Sequence, residues 1–335
     1  MKQNTNRSFR LVALSGGVGG SKLVVGLNEF VAPEQLCIIA NTGDDFEHLG
    51  VHVSPDLDTL MYSLAGLANP DTGWGVTNET WDFMAALEEL GADTWFQLGD
   101  RDLATNVERT RLLDSGISLS EVTKELCEHL AIAAHIVPMT DSRVRTMLQT
   151  SDGFLEFQDY FVRLAARPQV SGFVYEGANS AKASPVALEA LACPGLEAVV
   201  LTPSNPYLSI DPILAISDIK AAIKSLDAPV IAVSPIVGGQ AIKGPTAKIM
   251  NELGADVSPV EIARHYRDII DGMIIDQSDS DYTEQISAMG IAVTSAQTVM
   301  KSMTDKIELA RVTIKFASTI DSREKGGGDV GTVTG

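Results

Sequence analysis

Short apolar runs alternate with longer stretches of helical periodicity along most of the chain. The apolar runs predict buried strands at 11–14, 36–40, 94–98, 198–201, 230–233 and 273–275. Helical patterns lie at about 21–30, 58–67, 78–90, 103–114, 119–130, 211–225, 245–253, 258–268 and 300–317. Apolar strands that alternate with helices are typical of a parallel sheet covered on both faces. We therefore predict an α/β fold with a Rossmann-like parallel sheet.

Residues 130–180 interrupt this alternation. Strand-like runs and a Ser151-Asp152-Gly153 turn predict a small antiparallel insert, with runs at 136–139, 146–150, 153–157 and 170–175. The helices at 103–130 are expected to join this insert as a cap, giving it an α+β character.

The predicted organisation is a single domain over residues 8–320. Its Rossmann-like core covers about 8–100 and 195–320, and the insert covers about 101–194. The glycine-rich residues 321–335 are expected to form a flexible tail.

The first apolar run leads into a glycine-rich turn and then into a helical pattern, in residues 11–22 (LVALSGGVGGSK). A strand, a tight turn and a helix N-terminus can present backbone N–H groups to a phosphate. The spacing differs from the dinucleotide fingerprint and from the P-loop. A purely structural turn is the alternative. The residues predicted to bind phosphate are Gly16, Gly17, Gly19, Gly20, Ser21 and Lys22.

Two acidic segments follow the second predicted strand. Asp44 and Asp45 end the run NTGDD, and SPDLDT contains Asp56 and Asp58. Carboxylates beside a phosphate loop suggest a hard cation such as Mg²⁺, which would neutralise their mutual repulsion. Helix capping, by Asp56 in particular, and a solvated turn are the alternatives.

Polar clusters also follow two later predicted strands. Gln97 offers a hydrogen-bond donor and an acceptor to a heterocycle. Asp100 could bind a metal or activate a hydroxyl, and Arg101 could pair with a phosphate. An ion-pair network among these charged residues is the alternative interpretation. Ser204 and Asn205 lie in a loop with two prolines that suits recognition of a nucleobase edge, although turn chemistry also explains it.

Composition limits the class of ligand. The net charge of −19 argues against binding to nucleic acid or to an anionic membrane surface, but allows a local nucleotide site. The three cysteines show no CxxC spacing, and we expect no disulfide framework. No apolar stretch resembles a signal peptide or a membrane span. A cytoplasmic protein is expected.

Several segments together resemble the 2-phospho-L-lactate transferases of coenzyme F420 biosynthesis, a family that includes phosphoenolpyruvate transferase relatives. The matching stretches occur in the family's order and cover roughly residues 10–318. They are SGGVGGSKL (15–23), NTGDD (41–45), SPDLDT (54–59), LGDRDLAT (98–105), PMTD (138–141), FQDYFV (157–162), TPSNPYLSI (202–210), SPIVGG (234–239) and KGPTAK (243–248).

The resemblance implies a phosphotransferase reaction. A guanosine diphosphate ester of a three-carbon acid would donate its phospho-acid moiety to the ribityl hydroxyl of the deazaflavin Fo. GMP would leave, and the product would be F420-0 or its dehydro or glyceryl analogue. The family requires Mg²⁺, and its habit favours a homodimer. The resemblance leaves open whether the acid is 2-phospholactate, phosphoenolpyruvate or 3-phosphoglycerate.

The resemblance also implies roles for individual residues. The glycine loop with Ser21 and Lys22 would face the diphosphate, and Ser204 and Asn205 would hold the guanosine. The catalytic residues would be Asp44, Asp45 and Asp58, of which Asp44 and Asp45 would hold the metal. The residues expected at Fo are Asp58, Thr59, Gln97, Asp100 and Arg101.

Two other functions remain open at this point. One is a non-catalytic, sugar-nucleotide-binding regulatory relative of the same fold, which the intact SPDLDT and LGDRD segments disfavour. The other is a nucleotide-dependent kinase, which the broken P-loop spacing disfavours.

Overall fold

The computed structural model describes residues 8–320, and the predicted tail at 321–335 lies outside the described residues. The strands are β1 Leu11–Ser15, β2 Leu36–Ala40, β3 Phe46–His48, β4 Val51–Val53, β5 His135–Pro138, β6 Arg145–Thr150, β7 Gly153–Glu156, β8 Val170–Glu176, β9 Ala198–Leu201, β10 Val230–Val233, β11 Ile236–Val237, β12 Gln240–Ala241, β13 Gly272–Asp276 and β14 Ala292–Ala296.

Helices connect most of these strands. They are α1 Gly17–Leu27, α2 Pro55–Leu64, α3 Asp82–Glu89, α4 Asp100–Asp114, α5 Leu119–His129, α6 Pro185–Leu191, α7 Asp211–Leu214, α8 Ser217–Lys224, α9 Thr246–Glu252, α10 Pro259–His265, α11 Thr283–Ser287 and α12 Met303–Ala317. Within the described residues, no helix is long and apolar enough to cross a membrane.

Seven parallel strands form the central sheet, in the order β14-β13-β10-β9-β1-β2-β5. Side chains alternate between its two faces, so Val12 and Leu14 enter one core while Leu11 and Ala13 enter the other. Helices α1, α2, α5 and α12 cover one face, and α6, α8 and α10 cover the opposite one. The predicted α/β architecture is confirmed.

The antiparallel insert is smaller than predicted. Its sheet has the order β7-β6-β8 and covers residues 145–176. The run at 136–139 was expected in the insert, but β5 pairs in parallel with β2 at the edge of the central sheet. Helices α4 and α5 therefore belong to the connection that precedes β5, since α5 packs against β5.

The predicted strand at 94–98 is wrong, because this segment forms an irregular loop. Its apolar side chains have another partner. Trp95, Phe96 and Leu98 pack on Phe46 and Val53, which belong to the β3–β4 hairpin. The run is apolar because it caps this hairpin.

The strand order reverses at β1, which lies between β2 and β9. Ligands of open parallel sheets bind beyond the carboxyl ends of the strands at such a reversal. The glycine turn follows β1, and the Pro203-Ser204-Asn205 loop follows β9, so both predicted binding loops lie at this position.

Candidate active site at the carboxyl edge of the sheet

A cavity of about 860 Å³ opens at this edge. Its walls come from the loops after β1, β9 and β10, from the first turns of α2 and α4, and from the insert. A volume of this size is at the upper end of the range for small-molecule sites. It allows two ligands to lie side by side.

The glycine turn forms part of the cavity wall, and its conformation requires glycine at Gly17. The φ angle of Gly17 is +64°, in the left-handed region that other residues rarely adopt. Gly16, Gly17, Gly19 and Lys22 line the cavity. Gly20 and Ser21 are buried behind the turn, and the hydroxyl of Ser21 donates to the carbonyl of Val18 at 3.0 Å.

Packing between neighbouring loops also requires glycine in this turn. A Cβ atom at Gly19 would lie 2.3 Å from the carbonyl oxygen of Pro203. The structural role of the glycines is therefore confirmed, because this packing brings the β1 and β9 loops together at the cavity, and phosphate binding by the turn stays a prediction.

Ser204 and Asn205 line the cavity beside the glycine turn. The hydroxyl of Ser204 donates to the carbonyl of Gly16 at 2.7 Å and so fixes the two loops to each other. The Oδ1 atom of Asn205 accepts hydrogen bonds from the backbone N–H groups of Tyr207 and Leu208. Its buried Nδ2 has no partner among residues 8–320, which leaves a donor for a ligand.

Three lysines form one side of the cavity, which we call the lysine wall: Lys22, Lys243 and Lys301. The ammonium of Lys22 donates to the carbonyl of Met300 at 3.1 Å, and that of Lys243 donates to the carbonyl of Thr72 at 2.8 Å. Burial lowers the pKa of Lys22, and the charge of Lys243 lowers it further. An anion at this wall would relieve the repulsion.

Carboxylates lie on the other side of the glycine turn. One oxygen of Asp56 accepts a hydrogen bond from the backbone N–H of Gly17, and the other accepts one from Asn41 Nδ2 at 2.9 Å. The same amide donates to Asp44 at 3.2 Å. Burial raises the pKa of Asp56 to about 6. Burial, then the charges of Asp56 and Asp45, raise the pKa of Asp44 well above its usual value.

Asp45 faces away from the cavity, although it is adjacent to Asp44. Its Oδ2 accepts a hydrogen bond from the Ser54 hydroxyl at 2.8 Å and lies 3.1 Å from Nε2 of His52. Its Oδ1 is buried without a hydrogen-bond partner among the described residues. The predicted acidic pair is thus present, but its two members face different surroundings.

The fit of a divalent cation depends on this donor set. Within residues 8–320, no group of three or more His, Cys, Asp or Glu side chains is arranged to hold a metal ion. Mg²⁺, however, usually takes one or two carboxylates together with substrate phosphates and water. Asp44 and Asp56 both line the cavity, and repulsion between them raises the pKa of Asp44. These two residues fit such a site.

Asp58 lines the cavity but is held by a buried arginine. The guanidinium of Arg109, on α4, donates to both carboxylate oxygens of Asp58, with Nη1 at 3.1 Å from Oδ2. Arg109 is fully buried and also bonds to Asn106. Both oxygens of Asp58 are therefore occupied by protein.

Asp102, on α4, is a further carboxyl that lines the cavity. Its Oδ1 accepts a hydrogen bond from the Tyr62 hydroxyl at 2.8 Å. Burial, and then the charge of Asp58, raise the pKa of Asp102 to about 7.

Aromatic side chains form another part of the cavity wall. This aromatic wall consists of Trp95, Phe96, Phe157 and Phe161. The rings of Phe157 and Phe161 stack 5.4 Å apart, and the guanidinium of Arg163 lies 5.9 Å from the Trp95 ring. Flat faces in an apolar wall suit a planar aromatic ligand.

The five residues expected at the acceptor divide into two groups. Asp58, Thr59 and Gln97 line the cavity. Asp100 and Arg101 lie outside it, because Asp100 accepts hydrogen bonds from Thr80 and from the first turn of α3. Arg101 bonds to the carbonyl of Thr77. The cavity therefore does not support the predicted binding roles of these two residues.

Comparison with known proteins assigns the family. A family model described as "2-phospho-L-lactate transferase CofD" matches residues 11–314. The chain belongs to this family. It is a transferase, and the family acts in coenzyme F420 biosynthesis.

Curated relatives match almost end to end. A "Phosphoenolpyruvate transferase" of Kitasatospora aureofaciens is 37% identical over 319 residues, which cover 93% of this chain and 99% of that protein. A "2-phospho-L-lactate transferase" of Methanocaldococcus jannaschii is 39% identical over 316 residues, with the same two coverages. The relatives thus carry two different names for the transferred group.

A solved structure shares the fold. Protein BH3568 from Bacillus halodurans superposes with a TM-score of 0.60 at 15% identity, over 92% of this chain and 99% of that one. At this identity the likeness shows the fold alone.

The sequence reasoning did not select several cavity residues of this CofD-family chain as site residues. They are Asp56, Tyr62, Asp102, Lys243 and Lys301, together with the aromatic wall. A usable signal existed for Asp56, because four aspartates fall within fifteen positions. Lys243 and Lys301 carried no such signal, since they follow two different strands, β12 and β14, and meet Lys22 only in the folded chain.

Proposed function

We propose that this protein transfers the phospho-acid moiety of a guanosine diphosphate ester to the ribityl hydroxyl of the deazaflavin Fo. The transferred moiety is 2-phospholactate or its enolpyruvyl or 3-phosphoglycerate equivalent. GMP is released, and F420-0 or its dehydro or glyceryl analogue is formed. Family membership supports this reaction class, and the cavity supports the placement of the two substrates.

One observation carries the proposal: a single cavity combines two chemically different halves. The glycine turn, the lysine wall and the β9 loop offer N–H donors and positive charge. The aromatic wall offers flat apolar faces, and the carboxyls of α2 and α4 offer hydrogen-bond acceptors. The first half suits a phosphorylated nucleotide, and the second suits a planar heterocycle with a polyhydroxylated chain.

The donor fits the first half. A diphosphate carries charge that the lysine wall and the N-terminus of α1 can stabilise. The unpaired Nδ2 of Asn205 is a donor for a carbonyl oxygen, and guanine offers one. The positive charge and the available donor support a nucleotide that lies across the β1 and β9 loops.

Mg²⁺ would be held by Asp44 and Asp56 together with the substrate phosphates. When bound, it would neutralise charge on the diphosphate and on the departing GMP.

The protein's own groups orient the substrates for displacement at phosphorus. The ribityl oxygen bonds to the phosphorus that carries the organic acid, and the bond from this phosphorus to the bridging oxygen breaks. GMP departs with the electron pair, and the hydroxyl proton is released to solvent. Lys22 and Lys243 stabilise the charge on GMP, while the aromatic wall holds the acceptor ring in line. Positioning and charge stabilisation supply most of the rate in such transfers.

An assay with defined substrates tests the proposal. Purified protein with Mg²⁺ and Fo is incubated with each of the three guanosine diphosphate esters, and the products are identified by mass. We expect a phosphodiester of Fo and one equivalent of GMP from at least one ester. Binding of the nucleotide without binding of Fo would instead indicate the regulatory alternative.

A further inference from the structure

The carboxyl of Asp102 is a cavity group to which the family resemblance assigned no role. Asp102 lies in the first turn of α4, and the Tyr62 hydroxyl donates to its Oδ1 at 2.8 Å. Its backbone N–H donates to Glu79 at 2.9 Å, which fixes the start of the helix. No described protein group donates a hydrogen bond to Oδ2. The protein thus orients one oxygen and leaves the other for a ligand.

The neighbouring carboxylates offer less to an acceptor. Arg109 occupies both oxygens of Asp58, and Gly17 and Asn41 occupy both oxygens of Asp56. Asp45 does not line the cavity, and Asp44 is bridged to Asp56 by Asn41 beside the glycine turn. Asp102 is therefore the cavity carboxyl with an open oxygen that lies away from this acidic pair.

The charges around Asp102 set its protonation. Asp58 faces Asp102 from α2, and Glu79 faces it from the segment before α3. Burial is the largest cause of the raised pKa of Asp102, and the charges of Asp58 and Glu79 raise this pKa further. The hydrogen bond from Tyr62 and the charge of Arg109 oppose that shift. The resulting pKa of about 7 means that the carboxylate form dominates only above neutral pH.

We propose that Asp102, oriented by Tyr62, accepts hydrogen bonds from hydroxyl groups of the acceptor's ribityl chain. This proposal deepens the proposed function and rests on it. Carboxylates form strong, charge-assisted hydrogen bonds with hydroxyl donors. Thr59 and Gln97 also line the cavity and offer polar groups to the same chain, while the aromatic wall takes the ring. Asp102 is then a specificity residue for a polyhydroxylated acceptor.

Binding measurements on Asp102→Asn test the proposal without turnover. Calorimetry would give Kd values for Fo, for the same deazaflavin ring without its ribityl chain, and for GDP. We expect about tenfold or weaker binding of Fo, with the other two Kd values within twofold of wild type. Asp114→Asn is the matched control, because Asp114 is an exposed carboxylate at the other end of α4.

The pH dependence gives an independent readout. Wild-type affinity for Fo should fall as the pH drops below about 7, because the carboxylate becomes protonated. Asp102→Asn should lose this dependence. Tyr62→Phe should move its midpoint to higher pH, because the hydrogen bond from Tyr62 lowers the pKa of Asp102.

The outcomes separate the two proposals. Wild-type protein that binds GDP but not Fo would overturn the proposed function. Wild-type protein that binds Fo, with Asp102→Asn binding it equally well over the whole pH range, would overturn the role of Asp102 alone. Equal weakening of Fo and of the chainless ring by Asp102→Asn would also overturn contact with the ribityl chain.

Discussion

At the scale of single residues, Asp56 connects the two halves of the site. Its carboxylate binds the N–H of Gly17 at the start of α1 and the amide of Asn41, which also holds Asp44. From the sequence alone, Asp56 could also have been a capping residue of its own helix. The fold instead directs its carboxylate to the N-terminus of a different helix, α1, and this contact between distant segments has no local sequence signature.

Asp44 is expected to be essential for transfer. Asp44→Asn keeps an oxygen for the hydrogen bond from Asn41 but removes the negative charge at the cavity. We expect turnover to fall by about 10²–10⁴-fold, as for loss of a group that stabilises charge in the transition state. The melting temperature should not fall, because burial already disfavours the ionised carboxyl. Turnover within threefold of wild type would contradict this role.

Arg109 is expected to matter for stability. Its guanidinium is fully buried against Asp58, so Arg109→Ala leaves a buried carboxylate without its partner. Removal of one member of a buried pair costs about 3–5 kcal/mol of unfolding free energy. Urea denaturation would measure this loss. Asp58→Asn in the Arg109→Ala background should recover part of it, and equal stability of the single and double variants would contradict the argument.

At the scale of elements, periodicity predicted most of the central sheet and many of its helices. The parallel strands are buried on both faces and therefore read as continuous apolar runs. Periodicity does not identify the loop at 94–98, an apolar run that packs on a hairpin, or β14, whose Thr294 and Ser295 weaken the apolar signal. Burial is visible in a sequence, but the partner that causes burial is not.

The lysine wall is expected to bind phosphate rather than the nucleoside. Lys243 follows β12 and contacts the loop at Thr72, and it approaches Lys22 closely enough to lower its pKa. Lys243→Ala should weaken GDP binding by about tenfold and leave guanosine binding within twofold, because only GDP carries the charge. Calorimetry at two salt concentrations would measure this difference. Lys315→Ala, an exposed site on α12, is the control, and equal losses for GDP and guanosine would contradict the prediction.

At the scale of the whole molecule, the acidic site makes stability depend on pH. Folding raises the pKa of Asp56 to about 6 and that of Asp102 to about 7, so the folded state binds these protons more tightly than the unfolded state. Their contribution to stability is therefore present at low pH and is lost as the pH rises from about 4 to about 7. Burial disfavours the ionised form of these carboxyls. Proteins commonly retain such destabilising residues where function requires them.

Asp102→Asn isolates one of these contributions. The variant lacks the titrating group, so its stability relative to wild type should increase as the pH rises from about 4 to about 7 and then remain constant. Thermal denaturation of both proteins at several pH values would measure the difference. A stability difference that does not change with pH would contradict the raised pKa of Asp102.

The whole molecule has a net charge of −19, whereas the lysine wall is a local cluster of positive charge at the cavity. Overall charge limited the classes of ligand, and family-specific motifs supplied the glycine turn, Asp44, Ser204 and Asn205. The division of the cavity into two halves could be seen only in the fold, because the lining residues come from loops that are far apart in the sequence. The segments SPIVGG and KGPTAK had no assigned role until the structure placed them along the lysine-bearing side of the cavity.

The most direct test of the proposed transfer follows its products by mass spectrometry. Fo, Mg²⁺ and a guanosine donor derived from 2-phospholactate, phosphoenolpyruvate or 3-phosphoglycerate are incubated with wild-type protein, and with Asp44→Asn as the control. We expect one donor to yield GMP and an equimolar phosphodiester of Fo with wild type, and almost none with the variant. Absence of any Fo phosphodiester from all three esters, with a folded protein that binds GDP, would contradict it.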